Sequence, residues 1–363
     1  MIAFLFKCDK QAAVIIVYLK VEKNISNSPP TIKQIARQLN VSVSTVSRAL
    51  NNHPRIGAGT KERIQELAKE LGFEPNIQAI SFKQKKTFII GVVLPNIKED
   101  FFSQAINGIE DAATLHHYTM LFAQSHDDLE TEKRAVDAMR KQRVDGLIIS
   151  LSKETNSYKH LQAVESFGIP VVCFDRVPSI KNMHKVYCNI YDGTIKMLGW
   201  FFNKGYQRIA LINGPATLAA SAERLKGYKK AVGNRKLKVD MQLVETTDFS
   251  KESTMAALKK LLALKNKPEV IISFNDYVHM DAVQLAKQMK IKVNKQIIFA
   301  SYANLPITSY TTHPPVISLE QYPYRQGEKA MEIMMKLLQQ KAGGNPGDSS
   351  FHAEEIPATI VLH

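Results

Sequence analysis

The feature that most constrains this 363-residue chain is a regular alternation of short apolar runs and longer amphipathic stretches from Phe88 onward. Apolar runs of four to seven residues are typical of buried strands, and the stretches between them have helical length and periodicity. The alternation therefore predicts βαβ units and parallel sheets that are covered by helices on both faces. The predicted strands are 88–94, 118–123, 144–150, 170–174, 208–212, 270–273 and 296–300.

This region, residues 88–363, is too long for one sheet of ordinary size. Two similar α/β lobes are the simplest solution. In such lobes, ligands bind outside the carboxyl ends of the strands. The sequence therefore predicts a cleft between two α/β lobes.

A different pattern occupies residues 29–74, where three short amphipathic helices are predicted. Thr31 is a suitable N-cap for the first helix, and Ser42 for the second. Asn40 lies between them and tolerates the left-handed backbone of a tight turn. The third helix follows Gly57 and ends at Gly72, a residue suited to the C′ position. These signals predict a small all-α domain with a helix-turn-helix.

The second helix of this group has a small, hydroxyl-rich outer face. Val46 and Leu50 point inward with Val41, because they lie on one side of the helix. The outward residues can approach a DNA backbone or base edges, and an arginine can bind guanine through two hydrogen bonds. A generic three-helix bundle with a solvated polar face is the alternative. The outward residues are Val43, Ser44, Ser47 and Arg48.

The distribution of charge favours the nucleic-acid interpretation. Residues 29–87 contain ten lysines and arginines against four acidic residues, a net charge of +6, within a chain whose net charge is +14. A local surplus of this kind attracts polyanions. Residues 1–28 end in a polar, proline-rich boundary. We interpret them as an N-terminal extension outside the domains, either a loose tail, the result of an upstream start, or a docking strand.

Several other classes of protein are disfavoured. Cys8, Cys173 and Cys188 are widely spaced, which argues against a disulfide framework or zinc knuckle and favours a reducing cytoplasm. The apolar N-terminal stretch is too short to span a bilayer, and it lacks the features of a signal peptide. No G-x-S-x-G, H-E-x-x-H or P-loop motif occurs. We therefore predict neither an enzyme nor a metal or cofactor site.

The run from Thr31 to Asn51, followed by the segment from Pro75 to Lys83, resembles the headpiece and hinge of the lactose-repressor/galactose-repressor (LacI/GalR) family of bacterial transcription regulators. The resemblance extends to the carboxyl terminus, because the βα alternation begins at the family's usual distance from the hinge. It implies a helix-turn-helix domain at 29–74, a hinge helix and linker at 75–87, and a two-lobed, periplasmic-binding-protein-like domain for effector binding and dimerisation at 88–363.

The resemblance assigns DNA contacts to the second helix. Base-reading positions are implied for Val43, Ser44 and Arg48, and Arg48 is expected to supply most of the discrimination. Phosphate contacts are implied for Thr45, Ser47 and Asn51, although Ser47 and Asn51 can equally serve as capping or solvated residues.

The hinge helix implied by the resemblance runs from Asn76 to Phe82. In the family it inserts an apolar side chain into the minor groove, and Phe82 stands where most relatives have leucine. The alternative is a linker whose Phe82 packs on the body of the protein.

The resemblance also implies an effector cleft whose ligand is a sugar or sugar derivative. Three of the implied effector residues also have simpler structural roles open to them. Asp175 can be a turn residue, Arg224 can form a surface ion pair and Asn275 can cap a helix. Relatives often have an acidic residue where this chain has Ala303. One lobe is expected at 88–187 with 304–342, and the other at 188–303 with the final strand. The implied effector residues are Asn96, Phe101, Asp175, Arg224, Asn275 and Gln321.

The implied function is sequence-specific transcription regulation, most commonly repression, controlled by a small molecule. One headpiece makes few phosphate contacts, so we expect a homodimer on a palindromic operator. Two other classes of protein could have the same two lobes and bind no DNA. One is an exported solute-binding protein, and the other is an α/β enzyme.

Overall fold

The computed structural model describes residues 29–74, 86–342 and 351–363. The chain divides into a helical unit, of which residues 29–74 are described, and an α/β unit that begins near Lys86. Each unit is considered by itself. In the described parts, no helix combines the length and the apolar composition needed to cross a bilayer.

The helical unit contains α1 (Ile32–Gln38), α2 (Val43–Leu50) and α3 (Ala58–Leu71). The predicted caps are confirmed. The Thr31 hydroxyl accepts a hydrogen bond from the Gln34 amide at 3.3 Å. Asn40 has a φ of 49°, and Gly72 ends α3 with a φ of 64°. The three helices share a small core of Ile35, Ala36, Val46, Ala49, Ile64 and Ala68.

The first lobe is built on a six-stranded sheet in the order β11-β5-β4-β3-β1-β2. All of its strand pairs are parallel. Helices α4, α5, α6 and α11 belong to this lobe, and α11 packs along α4. Its elements are β1 (Ile89–Leu94), α4 (Asp100–Leu115), β2 (Thr119–Gln124), α5 (Leu129–Lys141), β3 (Gly146–Ile149), α6 (Lys159–Ser166), β4 (Val171–Phe174), β5 (His184–Asn189), α11 (Pro323–Ala342) and β11 (Ala353–Pro357).

The second lobe has the same plan, with the strand order β12-β10-β9-β8-β6-β7. Its strands are parallel except for the antiparallel pair of β10 and β12. Two short 3₁₀ helices, Met241–Leu243 and Pro306–Tyr310, complete the connections. Its elements are α7 (Ile190–Asn203), β6 (Ile209–Asn213), α8 (Ala219–Asn234), β7 (Val244–Thr246), α9 (Lys251–Ala263), β8 (Val270–Ser273), α10 (Asp276–Gln288), β9 (Ile298–Ala303), β10 (Ile317–Glu320) and β12 (Thr359–Leu362).

The predicted fold class is confirmed, and all seven predicted strands are present. The chain crosses between the lobes after β5, after β10 and between β11 and β12. Our assignment of 304–342 to the first lobe is wrong for β10, which pairs with β9 in the second sheet. The final segment also supplies β11 to the first sheet before β12 returns to the second.

Candidate functional site

Helix α2 is held at its start by a compact group of hydroxyls. The Ser42 side chain accepts a hydrogen bond from the Thr45 amide at 3.0 Å, which satisfies a donor that the helix itself leaves free. The Ser42 hydroxyl also lies 2.8 Å from the hydroxyls of Ser44 and Thr45. Val46 and Ala49 are buried and anchor the inner face. The sequence therefore fixes both where α2 begins and which side of it faces outward.

The outer face of α2 presents most of the residues that we predict to bind DNA. Val43, Ser44 and Arg48 are exposed, whereas Thr45 and Ser47 are half-buried. Asn51 is the C-cap residue, and its Nδ2 donates to the Ser47 carbonyl at 2.8 Å. Asn51 therefore makes a capping hydrogen bond, and its phosphate contact stays a prediction. The predicted hinge residues Asn76 and Phe82 lie outside the described residues.

The second candidate site is a narrow cleft between the two lobes, with a cavity volume of about 40 Å³. It lies at the carboxyl ends of β4 and β8 and at the starts of α4, α8 and α10. Five of the six predicted effector residues line it. The lining residues are Glu99, Phe101, Phe102, Asp175, Arg176, Leu218, Ala220, Arg224, Phe274, Asn275, Ala303, Leu305 and Gln321.

Arg224 is the most constrained residue of the cleft. Its side chain is buried, and its guanidinium lies between two aromatic rings, 3.9 Å from the centre of Phe274 and 4.3 Å from that of Tyr302. Nη2 donates to the Phe274 carbonyl at 3.3 Å, but Nε and Nη1 have no hydrogen-bond partner among the described residues. Burial lowers the pKa of Arg224 to about 10, so it remains charged at neutral pH. A buried cation with unused donors is suited to a ligand rich in acceptors.

Asp175 follows β4 and has a left-handed backbone, with a φ of 55°. It is therefore a turn residue, which was the alternative role considered for it, and it also lines the cleft. Burial raises the pKa of its carboxyl to about 6, against the opposing effect of the nearby guanidinium groups of Arg176 and Arg224. An acid of this kind can accept hydrogen bonds from ligand hydroxyls.

Asn275, Gln321 and Asn96 differ in how freely they can contact a ligand. Asn275 caps α10, because its Oδ1 accepts from the Val278 amide at 2.9 Å, and this leaves its Nδ2 available to the cleft. Gln321 is buried and lines the cleft. Asn96 does not line it. Its Oδ1 instead accepts from the Lys98 amide at 2.8 Å, which stabilises the loop after β1.

Four polar or aromatic residues of the cleft were not predicted: Glu99, Phe102, Arg176 and Phe274. Each is next to a predicted residue or its loop, so inspection of the full loops after β1, β4 and β8 could have identified them. Arg176 is held by an ion pair of 2.5 Å between its Nη1 and Asp127 Oδ1. Ala303 lies at the cleft and contributes no polar group.

The described residues include two free, buried cysteines, Cys173 and Cys188. Burial raises the pKa of the Cys188 thiol to about 12 and that of Cys173 further. Thiols with such pKa values are poor nucleophiles. Within residues 29–74, 86–342 and 351–363, no three side chains of the histidine, cysteine and carboxylate types are grouped to hold a metal ion.

Comparisons with known proteins match both units of the chain. Residues 31–76 match the sequence family of bacterial regulatory proteins described as the lacI family, and residues 90–342 match a periplasmic binding protein domain. The "HTH-type transcriptional repressor PurR" of Aliivibrio salmonicida is 26% identical over 311 residues, which cover 86% of this chain and 93% of that protein.

Two further similarities cover nearly the whole described chain. The "HTH-type transcriptional repressor CytR" of Escherichia coli is 27% identical over 320 residues, or 88% of this chain and 92% of that protein. The solved structure of the Lac repressor dimer bound to operator and the anti-inducer ONPF matches with a TM-score of 0.78 and 23% identity, covering 92% of this chain and 98% of that one. At this identity the structural match establishes the fold.

Proposed function

Because this chain belongs to the lacI family of bacterial regulatory proteins, with a periplasmic binding protein domain that follows the helix-turn-helix domain along the chain, we propose that it is a DNA-binding transcriptional repressor controlled by a small molecule. The relatives described above are named as transcriptional repressors. The repressor acts in the cytoplasm, where its operator lies, and it catalyses no reaction.

The DNA-binding half of the proposal rests on α2. Its exposed Val43 provides an apolar contact for a base edge, and exposed Arg48 provides the planar donor group that binds guanine. Exposed Ser44 offers a hydroxyl to base edges, and Thr45, Ser47 and Asn51 are the proposed phosphate contacts. Two headpieces on a palindrome are needed for useful affinity, so the active species is a homodimer.

The effector-binding half rests on the chemistry of the cleft. Asp175 accepts hydrogen bonds, Arg224 and Asn275 donate them, and Phe101 and Phe274 offer apolar surfaces to a ring face. A sugar or sugar derivative presents both donors and acceptors around an apolar ring, and we propose this class as the effector.

One observation carries the proposal: residues from both lobes meet at a single cleft. Asp175 and Phe101 belong to the first lobe, whereas Arg224 and Asn275 belong to the second. A ligand that bonds to both walls favours one arrangement of the lobes over others. This difference in binding energy is what allows a ligand to change the affinity of a distant site.

Two measurements test the proposal. The purified full-length chain is first used to select duplexes from a random oligonucleotide pool, and the recovered site should be palindromic. Operator affinity is then titrated against a panel of sugars, and sugar affinity is titrated against the operator. Linkage requires the two coupling factors to be equal. Failure to enrich any duplex at low salt contradicts the DNA-binding proposal, and a sugar that binds without changing operator affinity contradicts the switch.

A further inference from the structure

The four loops that lead from a helix into a strand in the second lobe are strongly basic. They connect α7 to β6, α8 to β7, α9 to β8 and α10 to β9, over residues 204–208, 235–243, 264–269 and 289–297. They contain ten lysines and arginines against two acidic residues, a net charge of +8, in a chain whose total is +14. All of these cations are exposed except Arg208, which is half-buried.

Capping of helix ends does not account for this charge. The helix dipole favours cations near the C-terminus of a helix in either lobe, and the two lobes have the same plan. The corresponding loops of the first lobe are residues 116–118, 142–145 and 167–170. They contain one arginine and one aspartate, a net charge of zero. The excess of positive charge is therefore particular to the second lobe.

The two acidic residues of these loops leave the exposed cations unneutralised. Glu269 Oε2 accepts hydrogen bonds from the amides of Gln207 and Arg208 at 2.6 Å and 2.9 Å. Asp240 Oδ1 accepts from the Gln242 amide at 3.1 Å, and its Oδ2 lies 3.4 Å from Arg208 Nη2. Glu269 thus binds backbone, and Asp240 balances the half-buried Arg208. Within these four loops, which the structure describes throughout, no exposed cation has an ion pair.

Aromatic rings hold two of the exposed cations in place. Lys204 Nζ lies 5.4 Å from the centre of the Trp200 ring, and the guanidinium carbon of Arg235 lies 5.8 Å from that of Phe202. Arg235 Nη2 also donates a hydrogen bond to Asn203 Oδ1. An ordered cation loses less entropy on binding an anion than a freely rotating side chain does. These contacts favour a binding surface over a merely solvated one.

The four loops lie in a row along one edge of the second sheet. Parallel strands place their amino ends at the same edge, and β9, β8, β6 and β7 are consecutive neighbours in that sheet. Neighbouring strands are about 4.8 Å apart, so the row is about 14 Å long from its first strand to its last. The candidate cleft lies at the opposite, carboxyl ends of the strands. We call the surface formed by these four loops the basic edge.

From this arrangement we propose that the basic edge binds the phosphate backbone of double-stranded DNA without reading its sequence. Duplex DNA has one negative charge per about 1.7 Å of its axis, which gives about eight charges over the length of the row. Lysines bind phosphates as point charges, and phosphate contacts carry no sequence information. The proposal goes beyond the function proposed above, because it gives each chain a second DNA contact, separate from α2 and from the cleft.

The shape of the basic edge favours DNA over two other polyanions. An anionic membrane presents a plane of charge, and an acidic protein presents a compact patch. A row of cations matches a linear polyanion better than either. The membrane and the acidic protein are therefore outcomes that the experiment must distinguish.

Lysine footprinting of the full chain locates the contact. The protein is acetylated at low salt, alone and with a random-sequence duplex, and the modification of each lysine is measured by mass spectrometry. We expect the duplex to slow acetylation of Lys236, Lys267 and Lys292 by about threefold or more. Lys159 and Lys181, which are exposed on the first lobe, are the controls and should react equally in both samples.

The same footprint is taken with polyglutamate and with vesicles of phosphatidylserine and phosphatidylcholine, at an equal concentration of negative charge. Weaker protection by both than by the duplex supports the proposal. Protection by either that equals or exceeds that by the duplex overturns the choice of DNA. The absence of protection by any of the three overturns the proposal altogether.

A bridging assay then tests whether the basic edge supplies a second DNA site. A surface-tethered duplex is saturated with the full-length protein, and the retention of a second, labelled duplex is measured. Replacing four lysines of the basic edge by glutamine should reduce retention about tenfold, because their phosphate contacts are lost. The changes are Lys236→Gln, Lys238→Gln, Lys267→Gln and Lys292→Gln.

The matched control removes the same charge from exposed lysines of the first lobe and should retain the second duplex as the wild type does. Bridging by two helix-turn-helix domains is common to all three proteins and cancels from the comparison. Equal losses in the two variants would show an effect of net charge alone and overturn the proposal. The control changes are Lys141→Gln, Lys159→Gln, Lys181→Gln and Lys336→Gln.

The outcome for the basic edge is separable from that for the proposed function. Operator selection depends on α2, so a chain that enriches no operator but is protected by DNA at the basic edge keeps this inference and loses the proposed function. Conversely, a chain that enriches an operator while the lysines of the basic edge stay unprotected keeps the proposed function and loses this inference.

Discussion

Gly327 of α11 lies directly against Ala105 of α4. A Cβ atom built on Gly327 would stand 2.1 Å from the Ala105 carbonyl oxygen, and one built on Gly108 would stand 2.0 Å from the Tyr324 carbonyl oxygen. Two glycines thus allow the helix backbones to approach each other more closely than any side chain would permit. The contact joins the first helix of the first lobe to the helix that returns to it from the second.

This relationship predicts that Gly327→Ala destabilises the α/β unit. The new methyl group meets backbone rather than a flexible side chain, so the helices must separate, at a cost of about 1–3 kcal/mol or more. Urea unfolding measures the loss. Gly199→Ala in α7 is the matched control, because nothing lies within 4 Å of its added Cβ, and it should stabilise the chain by up to about 1 kcal/mol. Equal effects of the two substitutions would contradict the packing argument.

A second prediction concerns operator recognition by Arg48. Arg48→Ala should lower affinity for the selected operator by about 1–3 kcal/mol and change random-sequence binding much less, because a base contact is lost. Competition titrations at fixed salt measure both affinities. The control is Arg63→Ala, which removes the same charge from the exposed surface of α3. An equal loss on operator and random DNA for Arg48→Ala would assign Arg48 to the phosphates instead.

A third prediction follows from the pKa of Asp175, which burial raises to about 6 in the folded protein. The folded state retains a proton that the unfolded state releases between about pH 4 and pH 6, so stability falls as pH rises through that window. Asp175→Asn removes the destabilisation that comes from ionising the buried carboxyl. Asparagine also tolerates the left-handed backbone at this position. The variant should gain about 1–3 kcal/mol relative to the wild type between pH 4 and pH 7.

Urea unfolding of both proteins at several pH values measures this change. Asp276, whose pKa burial also raises to about 6, is common to both and cancels from the difference. A stability difference that does not vary with pH would show that the pKa of Asp175 is the same in the folded and unfolded states, and would contradict the prediction.

A fourth prediction tests the shape of the Arg224 side chain. Arg224→Lys keeps the positive charge but loses the flat guanidinium that lies between Phe274 and Tyr302. Effector affinity should fall at least tenfold, about 1.4 kcal/mol, with operator affinity in the absence of effector unchanged. Arg235→Lys, at the exposed end of α8, is the control. Unchanged effector affinity in Arg224→Lys would exclude Arg224 from the ligand contacts.

Much of the fold was predictable because its signals are short in range. The caps at Thr31 and Ser42 connect residues three apart, and the buried strands are continuous apolar runs. Strands β5 and β11 have no such run and were therefore not predicted. In β5 buried and half-buried positions alternate, and β11 has a single buried residue, Ile356.

The candidate cleft was predictable only in part. Asp175, Arg224, Asn275, Phe101 and Gln321 stand at strand ends or helix starts, and parallel strands bring such positions together. Asn96 occupies the same kind of position but bonds within its own loop. Sequence cannot distinguish these cases, because the direction of a loop side chain depends on contacts with distant residues.

The sequence by itself determined the three helices of the helical unit, the strands that are continuous apolar runs, where α2 begins and which of its residues face outward, because those properties depend on neighbours within a few positions. The tertiary structure decided that β10 joins the second sheet, that Glu99 lines the cleft and that Tyr277, 178 residues later in the chain, bonds to the backbone on either side of it. Such relationships arise from pairing and burial between residues far apart in the chain, and no local pattern encodes them.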